Sequence, residues 1–408
     1  MRSGAHLPSL GRIQSALRKT TEALAIELAL PGSSTPDWSE FEWQIARAVA
    51  ATHGVSPLLA STLRWRVPAD WRAFLEQQRE NTIIRHGRIE SLLSQIDALS
   101  RAQALPLVAL KGAALHRAGL YRAGERPMAD LDLLVRPADV VQASAVLGKL
   151  GYHQSQITPK HRVFTRHDPV NPPRDVGEHP DNPLKIELHE SLREWLPLDP
   201  QDITSTVWPH QATPGLNPYP TRAALMAHLL LHASGALAYR CVRLLHLNDI
   251  ALVSRSMGEA DWQQLCGPDR RCAWWALPPL LLTTRYYEAA VPHAVLESLA
   301  ARCPKWLRSR SQRQVLAQVS LSNLRIEAFP GIEWARTPSE GFRYVMSRIR
   351  PSRETLVLRK YVAATQPHCS AGNWSQLSQG RRILKWLLSR PTRSESLYPV
   401  QMVLMRAR

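Results

Sequence analysis

The sequence predicts an α+β fold in which a few short strands lie between helical regions. Helical periodicity of apolar residues dominates before residue 100 and after residue 200, whereas apolar runs of strand length fall between them. A chain of 408 residues is also long enough for two or three units. We expect a helical N-terminal region (1–100), a sheet-containing core (101–200), a helical region packed on that core (201–300) and a basic C-terminal region (301–408).

The composition is that of a folded protein, with 44% hydrophobic and 21% charged residues. We find no apolar run that approaches about 18 residues and no secretory signal, so we expect a cytoplasmic protein without a membrane span. The cysteines lack the spacing of a zinc site or a disulfide framework, which predicts reduced, mostly buried thiols at Cys241, Cys266, Cys272, Cys303 and Cys369.

Positive charge is concentrated at the C-terminal end. Of the formal net charge of +17, residues 301–408 contribute +15, from 20 Lys and Arg residues against five Glu and no Asp. Arginine outnumbers lysine there, and arginine forks match phosphate geometry. Two interpretations stay open: a contact surface for a polyanion, and a solvated basic surface.

Two helices are expected in the N-terminal region. Phe41, Ile45 and Val49 share one helical face, and a longer pattern begins near Asp70, a candidate cap, and runs to Leu99.

A strand, a turn and a helix follow. Residues 105–110 form a short apolar run, Lys111 and Gly112 close it, and residues 113–120 are predicted to form a helix. This arrangement lets backbone N–H groups approach a phosphate, although many such turns carry glycine for steric reasons alone.

Two acidic residues interrupt the next apolar run, a predicted strand at residues 129–135. Because side chains alternate along a strand, Asp130 and Asp132 project from the same face. Two like charges held that close repel each other, so their placement indicates a cation between them.

A helix from Pro137 to Gly151 and strands at residues 153–157 and 162–165 are expected next. Residues 159–183 are rich in Pro, His and Asp, which predicts an exposed loop. Its histidines lack metal-ligand spacing and are interpreted as surface residues: His161, His167 and His179.

A third acid lies on a further predicted strand, residues 185–189, where Glu187 and His189 share one face. Glu187 would complete a set of three carboxylates if this strand lies beside the Asp130 strand, and the sequence alone does not fix that adjacency.

The helical half contains His228 and His232, spaced like half of a zinc-binding helix motif. No Glu follows His228 as that motif requires, which favours packing or hydrogen bonding over a metal. The stretch around Trp274 and Trp275 is predicted to be core.

Three segments together resemble a known family: LKGAAL at residues 110–115, R-x-x-x-D-L-D-L-L-V at 126–135 and IELH at 186–189. They look like the uncharacterised nucleotidyltransferase family of the DNA polymerase beta superfamily. HLLLH at 228–232 and RLLHLNDI at 243–250 are similar to the helical half of that family. The resemblance covers roughly residues 40–350.

The resemblance implies a small mixed sheet flanked by helices and a metal-dependent transfer of a nucleoside monophosphate from an NTP. It implies that Asp130, Asp132 and Glu187 are the catalytic acids and the ligands of Mg²⁺. Asp130 and Asp132 would bind the nucleotide-bound ion, and Asp132 and Glu187 a second ion that activates the acceptor hydroxyl.

The nucleotide-binding part departs from the superfamily pattern. Its usual Gly-Ser turn appears here as Gly112-Ala113, with a longer gap to Asp130. Lys111 could replace the missing hydroxyl at the phosphate. Arg126 could pair with a catalytic carboxylate or the triphosphate, and a structural salt bridge is an equal alternative.

The acceptor stays open, with RNA, a protein side chain and a small hydroxylated molecule as alternatives. A second hypothesis is a non-catalytic nucleotide- or RNA-binding protein that keeps the fold and binds through residues 301–408. A third is a helical scaffold.

Overall fold

The computed structural model describes residues 8–32, 34–166, 176–197, 199–266, 273–353, 355–357, 377–389 and 391–406. The strands are β1 (Pro106–Ala109), β2 (Asp130–Leu134), β3 (His153–Ile157), β4 (Arg162–Thr165), β5 (Lys185–His189), β6 (Arg193–Trp195), β7 (Pro200–Asp202) and β8 (Gly215–Asn217). Short 3-10 helices span Pro137–Asp139, Ala273–Ala276 and Ile332–Trp334.

The first ten helices are α1 (Leu10–Ala29), α2 (Glu40–Thr52), α3 (Ser56–Thr62), α4 (Ala69–Ala102), α5 (Lys111–Arg117), α6 (Val140–Lys149), α7 (Thr204–Val207), α8 (Arg222–Ala238), α9 (Leu244–Ser256) and α10 (Glu259–Cys266). They are followed by α11 (Leu277–Thr284), α12 (His293–Arg302), α13 (Lys305–Arg313), α14 (Leu316–Val319), α15 (Pro338–Ile349) and helices at Gln379–Leu388 and Ser394–Arg406. The predicted α+β fold with helical ends is confirmed.

Helices α2 and α4 form where the apolar periodicity predicts them, whereas α1 and α3 were not individually predicted. Helix α2 begins with a capping box, in which Ser39 Oγ accepts from the Glu42 N–H and the Glu42 carboxylate accepts from the Ser39 N–H. The predicted cap of α4 is wrong: Pro68 is the N-cap residue, and Asp70 lies inside the first turn, where it forms an ion pair with Arg47.

The six-stranded sheet has the order β3-β4-β5-β2-β1-β8. β2 pairs in parallel with β5 and antiparallel with β1, β1 pairs in parallel with β8, and β3, β4 and β5 pair antiparallel. The sheet is therefore mixed, as the family resemblance implies.

The two faces of the sheet have different roles. On one face, Leu131, Leu133, Ile186 and Leu188 are buried in a hydrophobic cluster with residues of α4 and α6. Because side chains alternate, Asp130, Asp132, Glu187 and His189 project from the other face. That face is turned toward the helical half, where Leu134 joins the larger core.

The predicted exposed loop at residues 159–183 is only partly confirmed. Its segment at residues 176–183 lies against α4, where Gln78 accepts from the Glu178 N–H, Asn81 donates to its carbonyl and Arg85 pairs with its carboxylate at 2.7 Å. Buried polar side chains of α4 fix this segment, which the loop composition did not indicate. His167 lies outside the described residues.

The helical half and the C-terminal end build the larger core. Helix α8 is buried along almost its whole length, and Trp275 is buried beside it, as predicted. The helix Ser394–Arg406 packs on α2 and places Val400 and Val403 in the same core as the N-terminal helices. Among the described cysteines, Cys266 and Cys303 are buried free thiols and Cys241 is partly buried. Of the described helices, none has the length and apolarity needed to cross a membrane.

Candidate active site

Three carboxylates meet where β2 lies beside β5. The parallel register pairs Asp132 with Glu187 and Asp130 with Lys185, so the strand adjacency that the sequence left open is present. Asp132 is only 5% exposed, and Asp130 and Glu187 are partly buried. The sheet therefore holds three acidic side chains on one face and shields them from water.

Lys111 supplies the cation that faces Asp132. Its Nζ lies 3.1 Å from Asp132 Oδ1, and its backbone has φ +43°, a left-handed conformation that is uncommon outside glycine. The Lys111 N–H donates to Tyr219 Oη at 3.3 Å, and the Tyr219 hydroxyl is hydrogen-bonded to His228 Nδ1 at 2.6 Å. His228 is thus hydrogen-bonded inside the protein, as predicted.

Gly112 is needed for close packing. A Cβ at this position would lie 2.4 Å from Arg126 Nη1 and 2.8 Å from Met128 Cγ. The left-handed residue of the turn is Lys111, whereas Gly112 is the second residue of α5. The glycine therefore lets α5 approach Arg126.

Arg126 forms a buried salt bridge with Asp249 of α9. Its Nε donates to Asp249 Oδ1 at 2.9 Å and its Nη2 to Oδ2 at 2.8 Å. The Tyr121 hydroxyl also donates to Asp249 Oδ1, at 2.6 Å. Burial lowers the pKa of Arg126, but the charge of Asp249 outweighs that effect and raises it. Of the alternatives that the sequence left open for Arg126, the structure shows the structural salt bridge.

Two histidines extend the acidic cluster. His189 Nε2 lies 2.9 Å from Asp132 Oδ1 and 3.9 Å from Glu187 Oε2, and His161 Nδ1 lies 3.4 Å from the same Glu187 oxygen. The prediction that His161 is a surface residue is wrong, because the turn before β4 directs its ring toward Glu187. His179 is partly exposed, as expected.

The carboxylates have unequal proton affinities. Burial and the charge of Asp132 raise the pKa of Asp130. Burial also tends to raise the pKa of Asp132. The charge of Lys111 and the hydrogen bond to His189 outweigh that effect and hold the pKa of Asp132 well below its usual value. Burial and the charges of Asp130 and Asp132 raise the pKa of Glu187 to about 8. Only when all three carboxylates are ionised does the cluster carry more negative charge than Lys111 neutralises.

A cavity of about 410 Å³ opens beside the acids, a volume in the range of small-molecule sites. Its lining includes Lys111, Gly112, Arg126, Asp130 and Asp132 from the sheet side, and His232, Arg243, His246 and Asp249 from the helical half. Arg243 is exposed at the N-cap of α9, and its charge acts on Asp130.

The sequence reasoning missed Arg243, Tyr219 and His161 as residues of this region. Arg243 opens the RLLHLNDI segment, so the family-like motif itself marked it. The position of His161 follows from the pairing of β4 with β5, in which Arg162 lies opposite Leu188 and the next step places His161 opposite His189. No comparable signal marked Tyr219, which approaches Lys111 through a contact 108 residues apart.

Carboxylates beside a cavity with cationic side chains are typical of proteins that transfer phosphate-containing groups. The chain matches a family described as uncharacterised nucleotidyltransferase over residues 39–303, and it belongs to that family. No curated protein and no solved structure matches the chain. The match spans the sheet, the acidic cluster and most of the helical half, and it supports nucleotidyl transfer as the general function.

Proposed function

We propose that the protein is a Mg²⁺-dependent nucleotidyltransferase that moves a nucleoside monophosphate from an NTP to an acceptor hydroxyl. The observation that carries this proposal is the register of β2 and β5, which places Glu187 beside Asp130 and Asp132, the two acids that line the cavity. Family membership gives the class of reaction.

The donor set fits Mg²⁺, which prefers carboxylate oxygens and usually keeps several waters. Asp130 and Asp132 would hold the nucleotide-bound ion, and Asp132 and Glu187 would hold a second one. When bound, Mg²⁺ neutralises triphosphate charge and aligns the attacking and leaving oxygens. Burial and then the neighbouring carboxylate charges raise the pKa values of Asp130 and Glu187, which is consistent with this role because a bound divalent ion offsets that repulsion.

Cationic side chains around the cavity would position the triphosphate. Lys111 lies beside Asp132, within reach of a metal-bound phosphate, and Arg243 borders the same cavity. Gly112 lets the start of α5 approach Arg126 closely. Arg126 lines the cavity while paired with Asp249, so we assign it to the wall of the nucleotide site.

The test is transfer of label from each of the four NTPs, labelled in the α-phosphate, to an acceptor in cell extract with Mg²⁺. We expect wild-type protein to label an acceptor, and Asp130→Ala and Asp132→Ala to abolish the labelling. Labelling that persists in both variants would show that the site assignment is wrong. NTP binding without transfer, together with RNA affinity that falls steeply with salt, would favour the non-catalytic binding protein.

A further inference from the structure

His161, Glu187 and His189 bring three metal-ligand atoms together at one edge of the acidic cluster. His161 Nδ1, His189 Nε2 and a Glu187 carboxylate oxygen all lie within 4.8 Å of one another. Around a metal with bonds of about 2.1 Å, neighbouring donor atoms lie about 3.0 Å apart in octahedral and about 3.4 Å apart in tetrahedral geometry. The separation of 3.4 Å from His161 Nδ1 to Glu187 Oε2 matches the tetrahedral value, and the 3.9 Å from His189 Nε2 to the same oxygen is longer than it. His189 Nε2 is hydrogen-bonded to Asp132 Oδ1 at 2.9 Å, and a bound metal ion would replace that hydrogen bond.

The turn between β3 and β4 fixes the position of His161. The Thr158 hydroxyl and its N–H both donate to the His161 carbonyl at 2.9 Å, and the His161 N–H donates back to Thr158 Oγ1 at 3.0 Å. Within the described part of the chain, the buried His161 Nδ1 has no hydrogen-bond partner. A buried imidazole nitrogen held without a partner and facing a carboxylate has the geometry of an available ligand.

The net charge of the ionised cluster matches in magnitude that of one divalent cation. Asp130, Asp132 and Glu187 carry three negative charges when ionised, and Lys111 returns one positive charge. Arg126 contributes little, because its charge is matched by Asp249. Full ionisation of the three acids would therefore leave two negative charges, which one divalent ion would balance.

We propose that His161, Glu187 and His189, with Asp132 beside them, form a binding site for a divalent transition-metal ion. Imidazole ligands suit Zn²⁺ and Co²⁺, whereas Mg²⁺ prefers oxygen ligands. The inference rests on the proposed function only for the catalytic role of Glu187, the one residue of the three-ligand group that the proposed Mg²⁺ site also uses.

The experiment titrates the purified full-length protein with Co²⁺ and follows its visible absorption, with Zn²⁺ and Mg²⁺ as competitors. We expect one Co²⁺ per chain, displaced by Zn²⁺ and retained in excess Mg²⁺. Mutating the groups that are hydrogen-bonded to metal ligands lowers metal affinity by about 10- to 100-fold, and losing a ligand itself should cost at least as much. His161→Asn and His189→Asn should therefore each weaken Co²⁺ binding by at least about tenfold.

The matched control is His293→Asn, which removes an exposed histidine and should bind Co²⁺ like the wild type. Unchanged affinity in both His161→Asn and His189→Asn, or equal loss in His293→Asn, would overturn the proposal. Should His189→Asn lose its fold by circular dichroism, His161→Asn decides, because His161 lies at a turn and its Nδ1 makes no hydrogen bond.

A second comparison separates this site from the proposed reaction. Asp130→Ala should abolish label transfer and leave the Co²⁺ absorption in place, since Asp130 is outside the three-ligand group. Loss of the Co²⁺ absorption in Asp130→Ala would place the ion at the aspartate pair and contradict the histidine site. Co²⁺ binding in a protein that transfers no label would contradict the proposed function alone.

Discussion

Lys111 is the left-handed residue of the strand-to-helix turn, and its side chain forms an ion pair with Asp132 of the acidic cluster. A left-handed conformation costs a residue with a Cβ about 1–3 kcal/mol, and surrounding contacts must compensate. Here the ion pair with Asp132 and the hydrogen bond to Tyr219 do so. The sequence indicated the turn but not the left-handed conformation of Lys111, because the hydrogen bond that helps to hold it comes from Tyr219, a distant residue.

Gly112→Ala tests the close approach of α5 to Arg126. The added Cβ would meet Arg126 and Met128 at less than 3 Å, and such overpacking costs about 1–3 kcal/mol in the free energy of unfolding. Gly148→Ala is the matched control, because its Cβ would meet nothing within 4 Å in α6, and it should be neutral or stabilising by up to about 1 kcal/mol. Denaturant unfolding measures both, and equal effects would contradict the packing role of Gly112.

Asp249→Asn tests the buried salt bridge with Arg126. Leaving Arg126 buried without its counter-charge should lower the free energy of unfolding by about 3–5 kcal/mol. The more exposed pair of Arg162 and Glu190 is the control, and Glu190→Gln should cost less than about 1 kcal/mol. A small loss in Asp249→Asn would mean that Arg126 finds another partner, such as the phosphates we assign to this cavity.

At the scale of elements, the parallel pairing of β2 with β5 is what assembles the site. The period-two alternation in residues 130–134 and 185–189 predicted which side chains share a face. It could not predict that the two strands are neighbours, because strand order depends on long-range packing. The position of His161 was missed for the same reason, since it follows from the register of β4 on β5.

His53 connects the end of α2 to the start of α9. The Leu244 N–H donates to His53 Nδ1 at 2.9 Å, and His53 Nε2 lies 3.0 Å from Ser322 Oγ. A protonated Nδ1 could not accept that bond, and burial together with the charge of Arg243 lowers the pKa of His53 to about 3. The neutral ring is therefore part of the folded state.

Stability should consequently fall as the pH drops below about 6.5. Because the folded pKa lies below the unfolded one, the unfolded chain takes up the proton first, and His53 alone costs about 1.4 kcal/mol per pH unit between about 6.5 and 3. Unfolding free energies measured across this range should fall more steeply in the wild type than in His53→Gln. Parallel curves would show that His53 does not carry this dependence.

At the scale of the whole molecule, the C-terminal end belongs to the same core as the N-terminal helices. The basic composition of residues 301–408 suggested a contact surface, and its weak periodicity gave no fold. The structure places Val400, 1% exposed, in the core through helix Ser394–Arg406, which packs on α2. Such a contact between distant parts of the chain has no local sequence signal.

Val400→Ala tests that contact. Removing buried methyl groups should lower the free energy of unfolding by about 1–3 kcal/mol, in a single transition shared with the N-terminal helices. Met405→Ala on the same helix is the control, because Met405 is exposed and should contribute almost nothing. A separate low-stability transition in Val400→Ala would show that this helix unfolds independently.

The central claim is that Glu187 on β5 completes the site begun by Asp130 and Asp132 on β2. The most direct measurement compares label transfer and NTP binding by Glu187→Gln, on β5, and Glu190→Gln, directly after β5, because only Glu187 contacts the cluster. We expect Glu187→Gln to reduce transfer by more than about 100-fold while NTP binding stays close to wild type, and Glu190→Gln to retain both. Transfer at the wild-type rate by Glu187→Gln would contradict the account.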